Sequence, residues 1–295
     1  MSLEDLFPDA PGSRFAIAFA LHDVDPGRAL EIYTSIADDD RAKAVCLRNA
    51  GVIHEAQGRL DEAEAAYRAS LERSPRYAQA WNSLGKLLLD RSRLADAEAA
   101  FRKALAEAPD YVPARNNLGI VLRRTDRAAE ATLELRAVTT ARPDYARGHY
   151  NLGNALMTQR DFAGAEAAFR AALRAEPAYQ RAANNLGNAL KSLDRFAEAI
   201  DAYALAARLA PKDVVPRHNL GVARRLAGDL EGAERELLEA ARLDPNVEPV
   251  WTELAEVQEL RGETASAAAS RQRVEEIRLR PKPGNATPRF EESGK

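Results

Sequence analysis

One heptad constrains this chain more than any other stretch. Asn184-Asn185-Leu186-Gly187-Asn188-Ala189-Leu190 returns, thinned or altered, every 34 residues. Upstream it reads Tyr150-Asn151-Leu152-Gly153-Asn154-Ala155-Leu156 and, one period earlier, Asn116-Asn117-Leu118-Gly119-Ile120-Val121-Leu122. Downstream it is His218-Asn219-Leu220-Gly221. A fixed period of this length marks stacked helical units, each unable to bury its apolar face alone. The composition agrees, because Ala, Leu, Glu and Arg dominate and aromatics are only 6%, which favours helix throughout. The expected fold class is all-α, an α-solenoid.

Six well-formed repeats span 44–77, 78–111, 112–145, 146–179, 180–213 and 214–247. With the first residue of each as position 1, position 8 is Gly51, Gly85, Gly119, Gly153, Gly187 and Gly221. Position 20 is Ala63, Ala97, Ala131, Ala165, Ala199 and Ala233, and position 24 is Tyr67, Phe101, Leu135, Phe169, Tyr203 and Leu237. Position 32 is Pro75, Pro109, Pro143, Pro177, Pro211 and Pro245. Glycine inside a helix costs about 1 kcal/mol against Ala, so six in register imply close backbone approach. The expectation is that Ala at position 20 faces that Gly and the position-24 side chain fills the wider gap beyond. Pro at position 32 ends one hairpin and sets the turn into the next. Between the paired helices Gly58 and Gly228, or Asp126 and Asp194, suit a left-handed turn.

These residues together resemble the tetratricopeptide-repeat family, whose pattern is Leu at 7, Gly at 8, Ala at 20, aromatic at 24, Ala at 27 and Pro at 32. Position 7 here is Ala50 and then Leu84, Leu118, Leu152, Leu186 and Leu220; position 27 is Ser70, Ala104, Val138, Ala172, Ala206 and Ala240. The resemblance implies a right-handed superhelix of antiparallel helical hairpins, a concave groove lined by the first helices, and binding of a protein or peptide partner.

The ends depart from the pattern, as terminal repeats with one neighbour do. Residues 1–12 read as an irregular lead-in, and 10–43 as a degenerate hairpin without the repeat's Gly and Pro. Its first helix is expected over Arg14 to His22, capped by Ser13, with Phe15, Phe19 and Leu21 available for burial. Asp25-Pro26 restarts the chain into a second helix from Arg28 to about Ala37. Residues 248–281 form a degenerate C-terminal capping repeat with Trp251 and Leu254 at positions 4 and 7. The polar, Pro-rich 282–295 reads as a disordered tail.

Signs of chemistry are few. Cys46 is the only cysteine, so no intramolecular disulfide forms and a cysteine metal site is not expected. His22, His54, His149 and His218 lie in different hairpins without metal-ligand spacing. Ser83-Leu84-Gly85-Lys86 matches a Ser-x-x-Lys signature, yet Gly85 is the packing glycine and the companion motifs are missing. No enzyme activity, cofactor or metal is expected. The acidic N-terminus lacks the basic lead and apolar core of a signal peptide, and no apolar run is long enough for a bilayer. The reading is a soluble, cytoplasmic protein without membrane contact.

Function is expected in the groove that the resemblance implies, whose lining is positions 2, 5, 9, 12 and 13 with position 6 beside them. Position 6 is Asn49, Ser83, Asn117, Asn151, Asn185 and Asn219, joined by Asn184 at position 5 and Asn154 and Asn188 at position 9. Asn is a mediocre helix former, but its amide carries donors and an acceptor for a peptide backbone. The ladder resembles the tetratricopeptide region of O-GlcNAc transferase, where such asparagines hold an extended chain. The competing reading is that each Asn bonds a carbonyl in the neighbouring hairpin. Over the lining positions of the six repeats, Arg48, Lys86, Arg123, Arg124, Arg147, Arg181, Lys191 and Arg225 oppose Glu55 and Asp90, a local balance of +6 in a chain of net −3. An acidic extended segment is the partner this charge would hold.

The carboxylate clamp that grips chaperone C-termini is disfavoured, since Tyr150 and Asn184 stand at position 5 before Asn154 and Asn188, and position 6 is never Arg. Two alternatives to the peptide-binding scaffold are a self-assembling homo-oligomer and a recruiting or regulatory subunit of a separate enzyme such as a glycosyltransferase. Nucleic acid comes last, because Tyr150 is the only aromatic at those lining positions and stacking platforms need more.

Overall fold

The computed structural model describes residues 11–36 and 40–279. The lead-in before residue 11 and the tail 282–295 lie outside the described residues. Among those described are sixteen helices and no strand, an all-α solenoid of hairpins divided into two compact units, Met1–Glu176 and Pro177–Lys295.

The first unit holds five hairpins: α1 (Pro11–Leu21) with α2 (Pro26–Ser35), α3 (Asp40–Ala56) with α4 (Leu60–Arg73), α5 (Ala78–Asp90) with α6 (Leu94–Glu107), α7 (Val112–Arg124) with α8 (Ala128–Ala141), and α9 (Ala146–Thr158) with α10 (Phe162–Ala175). The second holds three: α11 (Gln180–Ser192) with α12 (Phe196–Leu209), α13 (Val214–Leu226) with α14 (Leu230–Leu243), and α15 (Glu248–Leu260) with α16 (Thr264–Leu279). Within each unit the second helix of one hairpin packs on the first helix of the next. Short connections make the paired helices antiparallel neighbours.

From α5 onward each first helix occupies positions 1–13 of its repeat, and from α4 to α14 each second helix occupies positions 17–30. The turn between them needs a left-handed residue at position 15. It is met by Gly58, Gly228 and Gly262, at φ of 74°, 85° and 80°, but also by Ser92, Asp126, Arg160 and Asp194 at 59°, 61°, 62° and 56°. A side chain there costs about 1–2 kcal/mol.

The glycine at position 8 serves a different neighbour from the one its register suggests. A Cβ on Gly51, Gly85, Gly153 or Gly187 would stand 2.5–2.6 Å from ring atoms of Tyr67, Phe101, Phe169 or Tyr203, and on Gly119 or Gly221 2.6–2.7 Å from Leu135 or Leu237. The position-24 side chain therefore lies directly over the glycine instead of in a gap beyond it. All six of these side chains are fully buried, as are the alanines at position 20.

The first hairpin departs most from expectation. Its helix α1 covers Pro11–Leu21, so Ser13 lies within the helix instead of capping it. Ile17 and Ala18 are the buried residues and Phe19 is 64% exposed, because α1 turns that face toward α2 and α3. Asp25 caps α2 by accepting from the Arg28 backbone N–H at 3.0 Å, and α2 ends at Ser35 with Ile36 extended.

Polar groups join successive hairpins at two recurring places. Position 21 of one hairpin reaches position 14 of the next: Glu64 to Arg91 at 2.6 Å, Thr132 to Gln159, and Glu234 to Arg261. At position 4, Trp81, Arg115, His149 and Trp251 each bond the carbonyl of the preceding hairpin's proline, at 2.8, 2.6, 3.0 and 3.0 Å. No helix among the described residues is long and apolar enough to cross a membrane.

Candidate functional site

Residues four or three apart share a helix face, so positions 2, 5, 6, 9, 12 and 13 of each first helix fall on one stripe. Whether neighbouring stripes meet depends on how hairpins stack, and the asparagines report it. The Asn117 amide donates to Asn82 Oδ1 at 3.0 Å, Asn151 to Asn116 Oδ1 at 2.8 Å, and, in the second unit, Asn219 to Asn184 Oδ1 at 2.9 Å. Each rung runs from position 6 of one hairpin to position 5 of the hairpin before. The first rung of this kind swaps roles: Arg48 at position 5 donates to Ser83 Oγ at position 6, at 3.2 Å.

These bonds fasten first helix to first helix, and their acceptor is a side-chain amide oxygen, not the main-chain carbonyl of the competing expectation. An amide has two N–H groups, so one rung leaves the second donor for another partner. Asn49 is buried, donating to Tyr33 Oη at 3.3 Å and accepting from Arg48 at 2.9 Å. Asn188 accepts from Tyr203 Oη at 2.8 Å and lies within 3.4 Å of Asn185 Oδ1. Asn154, Asn184 and Asn185 are half-buried on the same kind of face.

The charges divide in the same way. Lys86 is paired with Glu55 and, at 3.5 Å, with Asp90. Arg124 reaches back to the Leu89 carbonyl at 3.3 Å and to Ser92 Oγ at 3.4 Å. Arg225 binds Glu253 and stands 3.5 Å from Glu256. Among the described residues, the side chains of Arg123, Arg147, Arg181 and Lys191 make no hydrogen bond or ion pair, and Arg147 and Arg181 are exposed. The local surplus of +6 is thus smaller than the sequence suggests. Glu253 and Glu256 are the residues that sequence reasoning missed; carrying the 34-residue frame into the degenerate last repeat places them at positions 6 and 9.

His218, at position 5, is half-buried, and burial pushes its imidazole below the usual value against the opposing pull of Glu253. Cys46 is fully buried in the first hairpin's core with Ile32, Tyr33 and Ile53, and burial pushes its thiol up, which keeps it an unreactive packing group. Among the described residues no group of three His, Cys, Asp or Glu side chains is gathered to hold a metal ion.

Family models described as tetratricopeptide repeat match residues 23–78, 48–112 and 150–214, and a second such model matches 88–154. A search of curated proteins finds no match. Among solved structures, Pseudomonas aeruginosa PilF is similar over 73% of this chain and 96% of its own, at 23% identity and a TM-score of 0.63. A chain of an APC/C hetero-tetramer, Cut9–Hcn1, is similar over 86% of this chain and 50% of its own, at 19% identity and a TM-score of 0.66. YrrB, described as having an unusual peptide-binding site, is similar over 63% and 95%, at 20% identity and a TM-score of 0.54. At these identities the structural likeness concerns the fold.

Proposed function

This chain belongs to the tetratricopeptide-repeat family, and we propose that it is a non-catalytic interaction scaffold holding an extended, acidic segment of a partner protein along its first-helix faces. The observation that carries this reading is the set of cations left without internal partners: Arg123 and Arg147 in the first unit, Arg181 and Lys191 in the second. They stand beside amides whose second N–H can meet a peptide carbonyl. Carboxylates gain charge-assisted bonds there and are steered in from solution. YrrB, a similar structure, is described as a peptide-binding protein, which supports a peptide partner for this fold.

The test uses these cations instead of the asparagines, because removing an amide also cuts a joint between hairpins. Anisotropy of a labelled acidic peptide is compared for the parent and for Arg147→Glu combined with Lys191→Glu. Affinity should fall about ten-fold or more, with the helical circular-dichroism signal unchanged, and parent binding should weaken as salt rises. Equal affinity in both proteins would overturn the reading.

A further inference from the structure

The second unit's first-helix face is not uniformly basic; it changes character from one helix to the next. On α11, Arg181, Asn184, Asn188 and Lys191 follow at i, i+3, i+7 and i+10, a single stripe about 15 Å long. Both cations on it lack internal partners among the described residues. The Asn219–Asn184 bond sets α13 beside α11. The same positions on α13 are Val215, His218, Val222 and Arg225, with Leu226 adjoining, and Val215 is 54% and Leu226 41% exposed. Burial disfavours the charged form of its histidine, and its one cation, Arg225, is turned onto α15 by Glu253 and Glu256. On α15 Glu256 and Glu259 hold the third and fourth of these positions, with Glu253 beside them; Glu256 stays 54% exposed, and Glu259 pairs with Arg271 of α16. The order across the face is basic, apolar, acidic.

We infer that the second unit binds an extended segment of bipolar sequence, with acidic residues over α11, apolar side chains over Val215, Val222 and Leu226 of α13, and basic residues over the exposed Glu256 of α15. This rests on the peptide-scaffold reading and narrows its partner. Helix axes about 8–10 Å apart put roughly 20 Å between the outer stripes, which about six extended residues span. A segment acidic along its whole length would carry carboxylates onto the α15 carboxylates. Such like-charge contact rejects a wrong partner more effectively than added attraction selects a right one.

The experiment measures the full chain against three labelled nine-residue probes of one design. They are Asp-Asp-Gly-Leu-Ser-Leu-Gly-Lys-Lys, the same peptide with Asp at both ends, and the same with Lys at both ends. The bipolar probe should bind about ten-fold tighter than either symmetric one. Arg181→Glu with Lys191→Glu, which disturbs no internal bond, should invert the order so that the probe with Lys at both ends binds best. If the probe with Asp at both ends binds the parent as well as the bipolar probe, the polarity is overturned while the scaffold reading stands. If no probe binds, both fall.

Discussion

At the turn of every hairpin from α3 to α16 one backbone angle is positive, and the chain meets it with seven residues of unequal aptitude. Arg160 holds φ of 62° with no glycine's freedom and no hydrogen bond of its side chain to any described residue. Arg160→Gly should therefore raise stability by about 0.5–1 kcal/mol, the relief of left-handed strain less the entropy that glycine adds to the unfolded chain. A urea midpoint no higher than the parent's would contradict it. The opposite case is Gly187, where an added Cβ would stand 2.6 Å from Tyr203 ring carbons. Gly187→Ala should cost about 1–3 kcal/mol despite alanine's better helix propensity, because a fully buried ring cannot retreat without strain elsewhere. Thermal melts check this. Both partners of that contact recur visibly in the sequence, but register alone pairs Gly with the position-20 Ala. Only the inclination of α12 on α11 puts the ring over the glycine.

Between hairpins the decisive contacts are polar and belong to the joints of the array. Glu64 is 5% exposed and meets Arg68 of its own helix and Arg91 and Arg93 of the next hairpin. Burial works to raise its carboxyl, and the arginines, Arg93 foremost, outweigh it and hold the group below its ordinary value. A carboxylate whose folded pKa is depressed contributes stability that is fully present above the unfolded value, about 4.3, and lost as pH falls through the folded one. Glu64→Gln should therefore lower the melting point at pH 7, by roughly 1–3 kcal/mol of stability, and the gap to the parent should close at pH 2–3. A gap of the same size at both pH values would rule out this account. The asparagine rungs are joints of the same order: loss of the Asn219–Asn184 bond costs about 1 kcal/mol. Asn at position 6 was legible as a ladder, but its acceptor was not, because it lies 35 residues away on a side chain.

For the whole molecule, an array of hairpins has ends, and an end must be covered. In the second unit Leu237, Ala240 and Ala241 of α14 are buried with Val250, Leu254 and Val257 of α15. Deleting residues 248–279 should leave that apolar face open, lowering the urea midpoint and adding binding of an anilinonaphthalene dye. A truncated chain as stable and dye-free as the parent would show that α15 and α16 are not needed as a cap. What the sequence by itself determined is the all-α hairpin array and the apolar positions between its helices, since these follow from local propensity and a strict period. What only the tertiary structure decided is which polar side chains are spent. Lys86, Arg124 and Arg225 are turned onto the protein itself, while Arg147, Arg181 and Lys191 are left without partners. Arg225 and Lys191 even share position 12 of their repeats. Their fates differ because a charge is consumed by whatever the adjoining hairpin presents across the stacking offset, and a period of 34 residues carries no record of that offset.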